Sequence, residues 1–518
     1  MSSVLLYDRK EAFVVRQADP FPYAVSLRRL LPQASFVGCT NLCVTDAVER
    51  SSDVQDGALF AVIRGTKVDA RQFIAEALTR GASGLLVDSP IPELSIPQCV
   101  VTDVRAAYSR VCETLSGNPS RRLNVVGVTG TNGKTTTAWL IRSLLERSGQ
   151  RCGLLGTVEY SDGLRTESSN LTTPDSRSFA QWLGRMVQAG STHASIELSS
   201  HSLHQGRSSG VELEAAVITN ITQDHFDYHK TYDAYLDAKA RILEQVRPSG
   251  LVAVNIEDRG SFSLRDRMCE SLNCVTFGMN SAADISAQIR DESLSGTRFR
   301  MGIHGKTVDC ATRLIGRHNV SNILAAAATA SHLGLTPEEI VMGIEAFRCV
   351  PGRLEEVQCG QPFDVFVDYA HTDDALHRCL YSLKSLTPGR LICVFGAGGD
   401  RDRTKRPKLG RAAMLADVAI VTSDNPRRES PNAIIDEILA GMTDVATVPI
   451  VEVDRRRAIQ RALAMARPGD CVLIAGKGHE NEQIIGTDRL PFDDRKVTRE
   501  ILRERWQPLA QPPARVSA

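Results

Sequence analysis

From residue 123 onward, short unbroken apolar runs alternate with stretches of helical period. The runs at 123–128, 195–198, 215–221 and 251–254 read as mainly apolar, which predicts strands covered on both faces, as in a parallel sheet. In 134–148, Ala138, Leu140, Ile141, Leu144 and Leu145 fall on one side and Gly149 follows, predicting a helix with a glycine C-cap. A second helix is predicted over 232–246. Strands alternating with helices in this way predict a doubly wound α/β sheet. The pattern then recurs. Runs at 365–367, 391–395, 418–422 and 472–475 predict strands, and 408–416, 433–441 and 455–466 predict helices, which together make a second, Rossmann-like unit. Nearer the N-terminus, the run 58–63, the turn Arg64-Gly65, the spacing of Phe73, Ile74, Ala77 and Leu78, and the run 84–87 predict a smaller α/β domain.

Turn clusters mark the boundaries. Gly117-Asn118-Pro119-Ser120 closes the first region and Val350-Pro351-Gly352 reads as a hinge. The expected division is α/β throughout: 1–122, a central domain 123–347, and a C-terminal domain 348–506. A proline-bearing tail, 507–518, is expected to be disordered. The length of 518 residues fits about three domains.

Composition narrows the function classes. Lys+Arg and Asp+Glu are both 61, so a polybasic nucleic-acid surface is not expected. Aromatic residues are 5%, too few for base-stacking platforms. No apolar run reaches the ~18 residues of a spanning helix, so no membrane insertion is expected. Asp8, Arg9, Lys10 and Glu11 break up the opening apolar patch, so it is not expected to be a signal peptide. The 13 cysteines are scattered and read as reduced thiols of a cytoplasmic protein. Cys39 and Cys43 have no second pair to complete a zinc set.

The strongest chemical signal is GVTGTNGKTT at 127–136, between a predicted buried strand and a predicted helix. There, glycines let backbone N–H groups converge on phosphate oxygens and the helix N-terminus adds its dipole. Gly130, Thr131, Asn132, Gly133, Lys134, Thr135 and Thr136 are the candidate ATP contacts. Lys134 would reach the β and γ phosphates, and Thr135 would hold Mg²⁺. The strict GxxxxGK[ST] pattern requires glycine at 128, where this chain has Val128.

The variant loop TGTNGKTT resembles that of the Mur ligase family, ATP-dependent amino-acid-adding enzymes of cell-wall synthesis, and of the related folylpolyglutamate synthetases. Further segments match in order. IELSSH at 196–201 implies Glu197 as a metal ligand, TNITQDHFDYH at 219–229 implies His225, and YLDAK at 235–239 implies Lys239, carrying CO₂, as a third. Carbamylation would turn Lys239 into an anion suited to Mg²⁺, of which two ions are expected. Taken singly, His225 reads better as a polar core residue and Lys239 as a solvated helix residue; together, in order behind the phosphate loop, they favour the site. GRHNVSN at 316–322 implies that Asn322 faces the nucleotide, and PGR at 351–353 supplies Arg353. VDYAHT at 367–372 implies Asp368 toward the ribose and His371 toward the phosphates.

Within the family, the resemblance is greatest to members that add the third amino acid. VQDGALF at 54–60 resembles their uridine-nucleotide module, which brings in Ser51. Thr172-Thr173-Pro174 resembles their substrate-binding TTP, and Ser199, Gln205 and Arg207 keep the matching spacing. GAGGDRDRTKRP at 396–407 and GKGHE at 476–480 resemble C-terminal signatures. The resemblance assigns the amino-acid acceptor to Asp424-Asn425-Pro426-Arg427, with Arg401, Gly476 and Glu480. The DNPR form goes with meso-diaminopimelate rather than lysine. Arg427 can pair bidentately with the second carboxylate of diaminopimelate, and Glu480 can meet its ammonium. Without the family frame, Asn-Pro is an ordinary turn. The sequence departs from the pattern at Arg50-Ser51-Ser52, in place of DSR, at Leu171, in place of Asn, and in the first 22 residues, which match no motif.

The resemblance thus implies a monomeric cytoplasmic ligase for peptidoglycan precursors. Its substrates would be ATP, UDP-MurNAc-dipeptide and meso-diaminopimelate, joined through an acyl phosphate. A lysine-adding or folylpolyglutamate-type ligase, and a non-catalytic nucleotide-binding regulator, are the alternatives.

Overall fold

The computed structural model describes residues 24–65, 69–222, 226–443 and 448–506. The predicted tail, the unmatched first 22 residues and His225 lie outside the described residues. The chain forms two compact units that divide between Asn118 and Pro119.

The N-terminal unit is a five-stranded sheet in the order Ser35–Val37, Gln98–Val100, Gly84–Val87, Leu59–Ala61, Ala47–Val48. Only the first pairing is antiparallel. Phe60 and Leu85 pack with Ile74 of the helix Ile74–Thr79 in its core. The helix Val104–Leu115 starts at Asp103, whose carboxylate accepts from the Ala106 N–H as an N-cap.

The second unit holds two large sheets and a two-stranded ribbon, Glu482–Ile485 with Asp488–Pro491. The larger has eleven strands, and its middle is parallel: Cys152–Leu155, His193–Glu197, Asn124–Thr129, Leu213–Ile218, Val246–Asn255 and Asn273–Gly278 lie in that order. Successive residues of Asn124–Thr129 point to opposite faces. Val126 and Val128 join the core under the helices Lys134–Arg147 and Arg317–His332, while Val125 joins the core with Phe179, Leu183 and Met186 of Ser176–Gln188. The smaller sheet has six strands, ordered Glu355–Glu356, Asp364–Asp368, Cys471–Ala475, Leu391–Phe395, Val418–Val421, Ile450–Val451. All but its first pairing are parallel.

Two features differ from the pattern reading. The helix expected over 232–246 ends at Ala240; a 3-10 turn, Arg241–Gln245, follows, and a strand begins at Val246. Pro248 disfavours helical backbone at Arg247, so the chain must be extended by then. An antiparallel meander, Ile285–Ser293, Gly296–Ile303 and Lys306–Thr312, extends the large sheet where no strand was predicted. Its signal is alternation, with Thr297, Phe299, Met301 and Ile303 buried and Arg298 and Arg300 exposed. The C-terminal helices are Lys405–Ala413, Pro431–Leu439 and Arg455–Met465, the first two starting two to three residues earlier than expected.

Candidate active site

Parallel strands leave their connecting loops at their C-terminal ends, where open α/β sheets bind ligands. In the second unit, such loops from both sheets line one polar cleft of about 630 Å³.

The phosphate loop forms one wall. Gly130 has φ +150° and packs so closely that a Cβ there would fall 1.9 Å from Thr219 Oγ1, so only glycine fits. Gly133, with φ +87°, turns the chain into the helix Lys134–Arg147. The end of the neighbouring strand clamps the loop. Asn220 accepts from the Thr131 N–H through its carbonyl (2.7 Å) and from the Asn132 N–H through Oδ1 (2.9 Å). Its Nδ2 donates to the Asn132 carbonyl at 3.0 Å. Lys134 Nζ donates to the carbonyls of Gly130 and Thr131 (2.8 and 2.9 Å). Lys239, buried with its Nζ 4.7 Å from the Tyr235 ring centroid, donates to the same Gly130 carbonyl at 2.7 Å.

Glu197, at the end of the strand on the loop's other side, is fully buried yet borders the cleft. It accepts from Thr135 Oγ1 (2.8 Å), from the Thr157 N–H (2.7 Å) and from Thr157 Oγ1 (3.1 Å). Thr135 and Glu197 thus place hard oxygen donors side by side. Among the described residues no cluster of three His, Cys, Asp or Glu side chains could hold a metal. Mg²⁺ takes one or two carboxylates together with water and phosphate oxygens, which suits such a site.

The segment around Glu197 gathers the residues expected to read the uridine substrate. Thr173 Oγ1 donates to the Glu197 carbonyl (2.8 Å) and accepts from the Ser199 N–H (3.1 Å). Arg207 bonds the Thr173 carbonyl (2.9 Å) and Gln205 Oε1 (2.7 Å). Thr172 reaches the cleft wall, 3.1 Å from Thr157 Oγ1. Ser51 belongs to the N-terminal unit, where its hydroxyl donates to Glu76 at 2.8 Å.

The smaller sheet supplies the opposite wall. Arg353 stacks on Tyr369, 4.6 Å from its centroid, and its Nη2 donates to Thr135 Oγ1 at 3.3 Å. Burial pushes the Tyr369 phenol up to about 12. His371 borders the cleft, with Nδ1 donating to the Tyr369 carbonyl. Burial, then the charges of Arg353 and Arg495, push His479 down to about 3, so its ring is neutral near pH 7. Asn132 Nδ2 spans the walls to Asp374 at 2.9 Å.

Two expected nucleotide contacts lie behind the lining. Asn322 is buried, and a Cβ on Gly133 would come within 2.3 Å of its Oδ1. Asp368 accepts from the N–H groups of Leu354 and Ala370, both at 2.7 Å, and burial raises its carboxyl. Neither is among the residues that border the cleft.

At the far end, two loops meet. Asp400 and Arg427 both hold left-handed backbone (φ +52° and +50°), uncommon for residues with a Cβ and concentrated at functional sites. The Gly399 N–H bonds the Asn425 carbonyl, and Arg427 Nη1 bonds the Gly399 carbonyl at 2.8 Å. Burial and the nearby Arg401 charge lower the Arg427 guanidinium. Asn425 Nδ2 donates to Glu480 Oε2 at 2.8 Å. Asp424 Oδ2 is buried without a hydrogen-bond partner among the described residues, and a Cβ on Gly476 would lie 2.8 Å from it. Arg401, Asp424, Asn425, Arg427, Gly476 and Glu480 border the cleft; Pro426 does not, but its carbonyl packs against Gly399.

Sequence reasoning missed Thr157, Asn220, Asp374, Arg406 and Lys477. Asn220, Arg406 and Lys477 stand inside segments already singled out. Only the pairing of strands and loops shows what they hold.

The fold and its cleft define an ATP-dependent peptide ligase. The chain belongs to the Mur ligase family: residues 128–330 match the Mur ligase middle domain and 352–478 the Mur ligase, glutamate ligase domain. It is 41% identical over 464 residues to a UDP-N-acetylmuramoyl-L-alanyl-D-glutamate--2,6-diaminopimelate ligase of Solibacter usitatus, covering 89% of this chain and 94% of that one. It is 42% identical over 491 residues to the enzyme of the same name from Gloeobacter violaceus, covering 93% and 99%. A solved structure of an enzyme of that name superposes with a TM-score of 0.68 at 31% identity, covering 93% of this chain and 99% of the other. No described helix is long and apolar enough to cross a membrane.

Proposed function

We propose that this chain adds meso-2,6-diaminopimelate to the γ-carboxylate of D-Glu in UDP-MurNAc-L-Ala-D-Glu, at the expense of ATP, in cytoplasmic synthesis of peptidoglycan precursors. The observation that carries this reading is one cleft bordered at one end by a phosphate loop and at the other by Arg401, Arg427, Asp424 and Glu480. That far end carries both signs of charge, as a zwitterionic amino-acid head requires. Relatives over most of the chain bear the name of this reaction.

The γ-carboxylate attacks the γ-phosphorus of ATP, giving ADP and an acyl phosphate. The diaminopimelate amine then attacks the acyl carbon, and phosphate leaves. A free carboxylate is a poor electrophile, which is why phosphorylation comes first. The loop amides and Lys134 hold the phosphates, and Arg353 and His371 stabilise the transferring group. Asn322 and Asp368 support the nucleotide pocket from behind. Thr135 and Glu197 would hold Mg²⁺, joined by His225 and a carbamylated Lys239; when bound, the metal offsets the charge of two approaching anions. Thr172, Thr173, Ser199, Gln205 and Arg207 orient the carboxylate. Ser51, in a domain spanning 1–122, holds the uridine nucleotide. Residues 123–347 bind ATP, residues 348–506 bind the amino acid, and the enzyme works as a monomer.

The reading is tested by phosphate release from the purified protein with Mg²⁺, ATP, UDP-MurNAc-dipeptide and diaminopimelate. Release requires both acceptor and nucleotide-sugar substrates; a protein that binds ATP and releases none is a regulator instead. Arg427→Ala is expected to lower kcat/KM for diaminopimelate by about 10- to 100-fold, the worth of one charge-assisted contact, with the KM for ATP within about twofold. Equal losses on both substrates would refute its assigned place.

A further inference from the structure

We infer that Lys477 is a positioning residue that sets acceptor affinity by fixing Asn425 and Glu480; this rests on the acceptor pocket proposed above. Lys477 lies between Gly476 and Gly478, both with positive φ, in the loop after Cys471–Ala475. Its side chain is 0% exposed and it does not border the cleft. An ammonium has three N–H groups, and here they meet three oxygens: the Glu482 carbonyl at 2.7 Å, Asn425 Oδ1 at 3.0 Å and Glu480 Oε2 at 3.0 Å.

These bonds decide the orientation of the two residues that do border the cleft. Asn425 Oδ1 accepts from Lys477 and from the Ile484 N–H (3.0 Å), so the amide can turn only its Nδ2 toward Glu480. Glu480 Oε2 therefore receives two donors. Its Oε1 makes no hydrogen bond among the described residues, while the side chain keeps 30% of its exposure. One carboxylate oxygen is pinned and the other presented. Removing the ammonium leaves the Asn425 amide oriented by the Ile484 N–H alone and the Glu480 carboxylate held by Asn425 alone, so the carboxylate gains freedom to swing.

The experiment measures steady-state KM and kcat for diaminopimelate and ATP, with ADP affinity, in Lys477→Met, Glu480→Gln and the double variant. Lys477→Gln, which keeps a donor without the charge, is run in parallel. The expected result for Lys477→Met is an acceptor KM raised at least tenfold, kcat changed less than threefold, and ADP affinity and ATP KM within twofold. Glu480→Gln raises the acceptor KM comparably, and the double variant is within threefold of the worse single one, because both act at one carboxylate. An unchanged acceptor KM in Lys477→Met, or effects that multiply in the double variant, overturns the inference. So does loss of ADP binding in both Lys477 variants, which would make the lysine a general structural support. An unchanged acceptor KM in Glu480→Gln overturns the acceptor pocket itself, whatever Lys477 does.

Discussion

Glu197 shows how finely single residues set the site. Its carboxylate is held by Thr135, by the Thr157 N–H and by the Thr157 hydroxyl. A Cβ on Gly156 would lie 2.3 Å from Glu197 Oε1. The backbone at Gly156 is not left-handed, so alanine is compatible with the fold there and acts on the carboxylate instead. Gly156→Ala is expected to reduce phosphate release by at least about 100-fold, as when one preorganised electrostatic group is lost, with the melting temperature little changed. Wild-type turnover in that variant would show that the position of Glu197 does not matter. The phosphate-loop glycines are legible in the sequence because their spacing is a motif. Gly156 is not, because its constraint comes from a carboxylate 41 residues away that only sheet pairing brings near.

At the scale of elements, the acceptor end is held by a charged network. Arg406, in the helix Lys405–Ala413, is 2% exposed and bonds Glu429, after the DNPR loop, and Glu437, in the helix Pro431–Leu439. Arg406 Nη2 also reaches the Gly398 carbonyl, and Glu429 accepts from the Asp400 N–H. The loops carrying Arg401 and Arg427 are thereby tied to one guanidinium. Arg406 and the Asp400 N–H lower the Glu429 carboxyl from 4.5 to about 2. A depressed carboxyl gives stability that is fully present above its unfolded value and lost as pH falls through the folded one. The wild-type melting temperature should therefore fall between about pH 4.5 and pH 2. Other carboxyls, Asp470 and Asp493 among them, are held low as well, so Arg406→Met reduces that slope without abolishing it, and destabilises the protein by up to about 3 kcal/mol near pH 7; thermal unfolding across this range checks both. An unchanged slope would mean that Glu429 is not the group responsible. Element positions were legible for many strands buried on both faces: Leu391–Phe395 and Gly84–Val87 match the predicted ends, although the equally buried Cys152–Leu155 was not predicted. The meander of Ile285–Thr312 was not, because its half-buried strands signal by alternation that polar residues interrupt.

At the scale of the whole molecule, every residue that borders the cleft lies between Thr131 and Glu480, inside the second compact unit. The phosphate loop and the acceptor loops come from different sheets. Asn132 to Asp374 and Arg353 to Thr135 join the two walls. The sequence carried the parts of this cleft as separate motifs. It did not carry their arrangement: Asn322 and Asp368 do not border the cleft, whereas Thr157 does, as does Arg406, which stands in the 396–407 segment without having been singled out there. The central claim is that the far end of this cleft selects an amino acid with a second charged head. The most direct test compares kcat/KM for meso-diaminopimelate and L-lysine with UDP-MurNAc-L-Ala-D-Glu and ATP saturating. Loss of the second carboxylate's charge-assisted contacts, worth about 1.5–3 kcal/mol each, predicts a preference for diaminopimelate of at least about 100-fold. Comparable turnover with lysine would contradict the account.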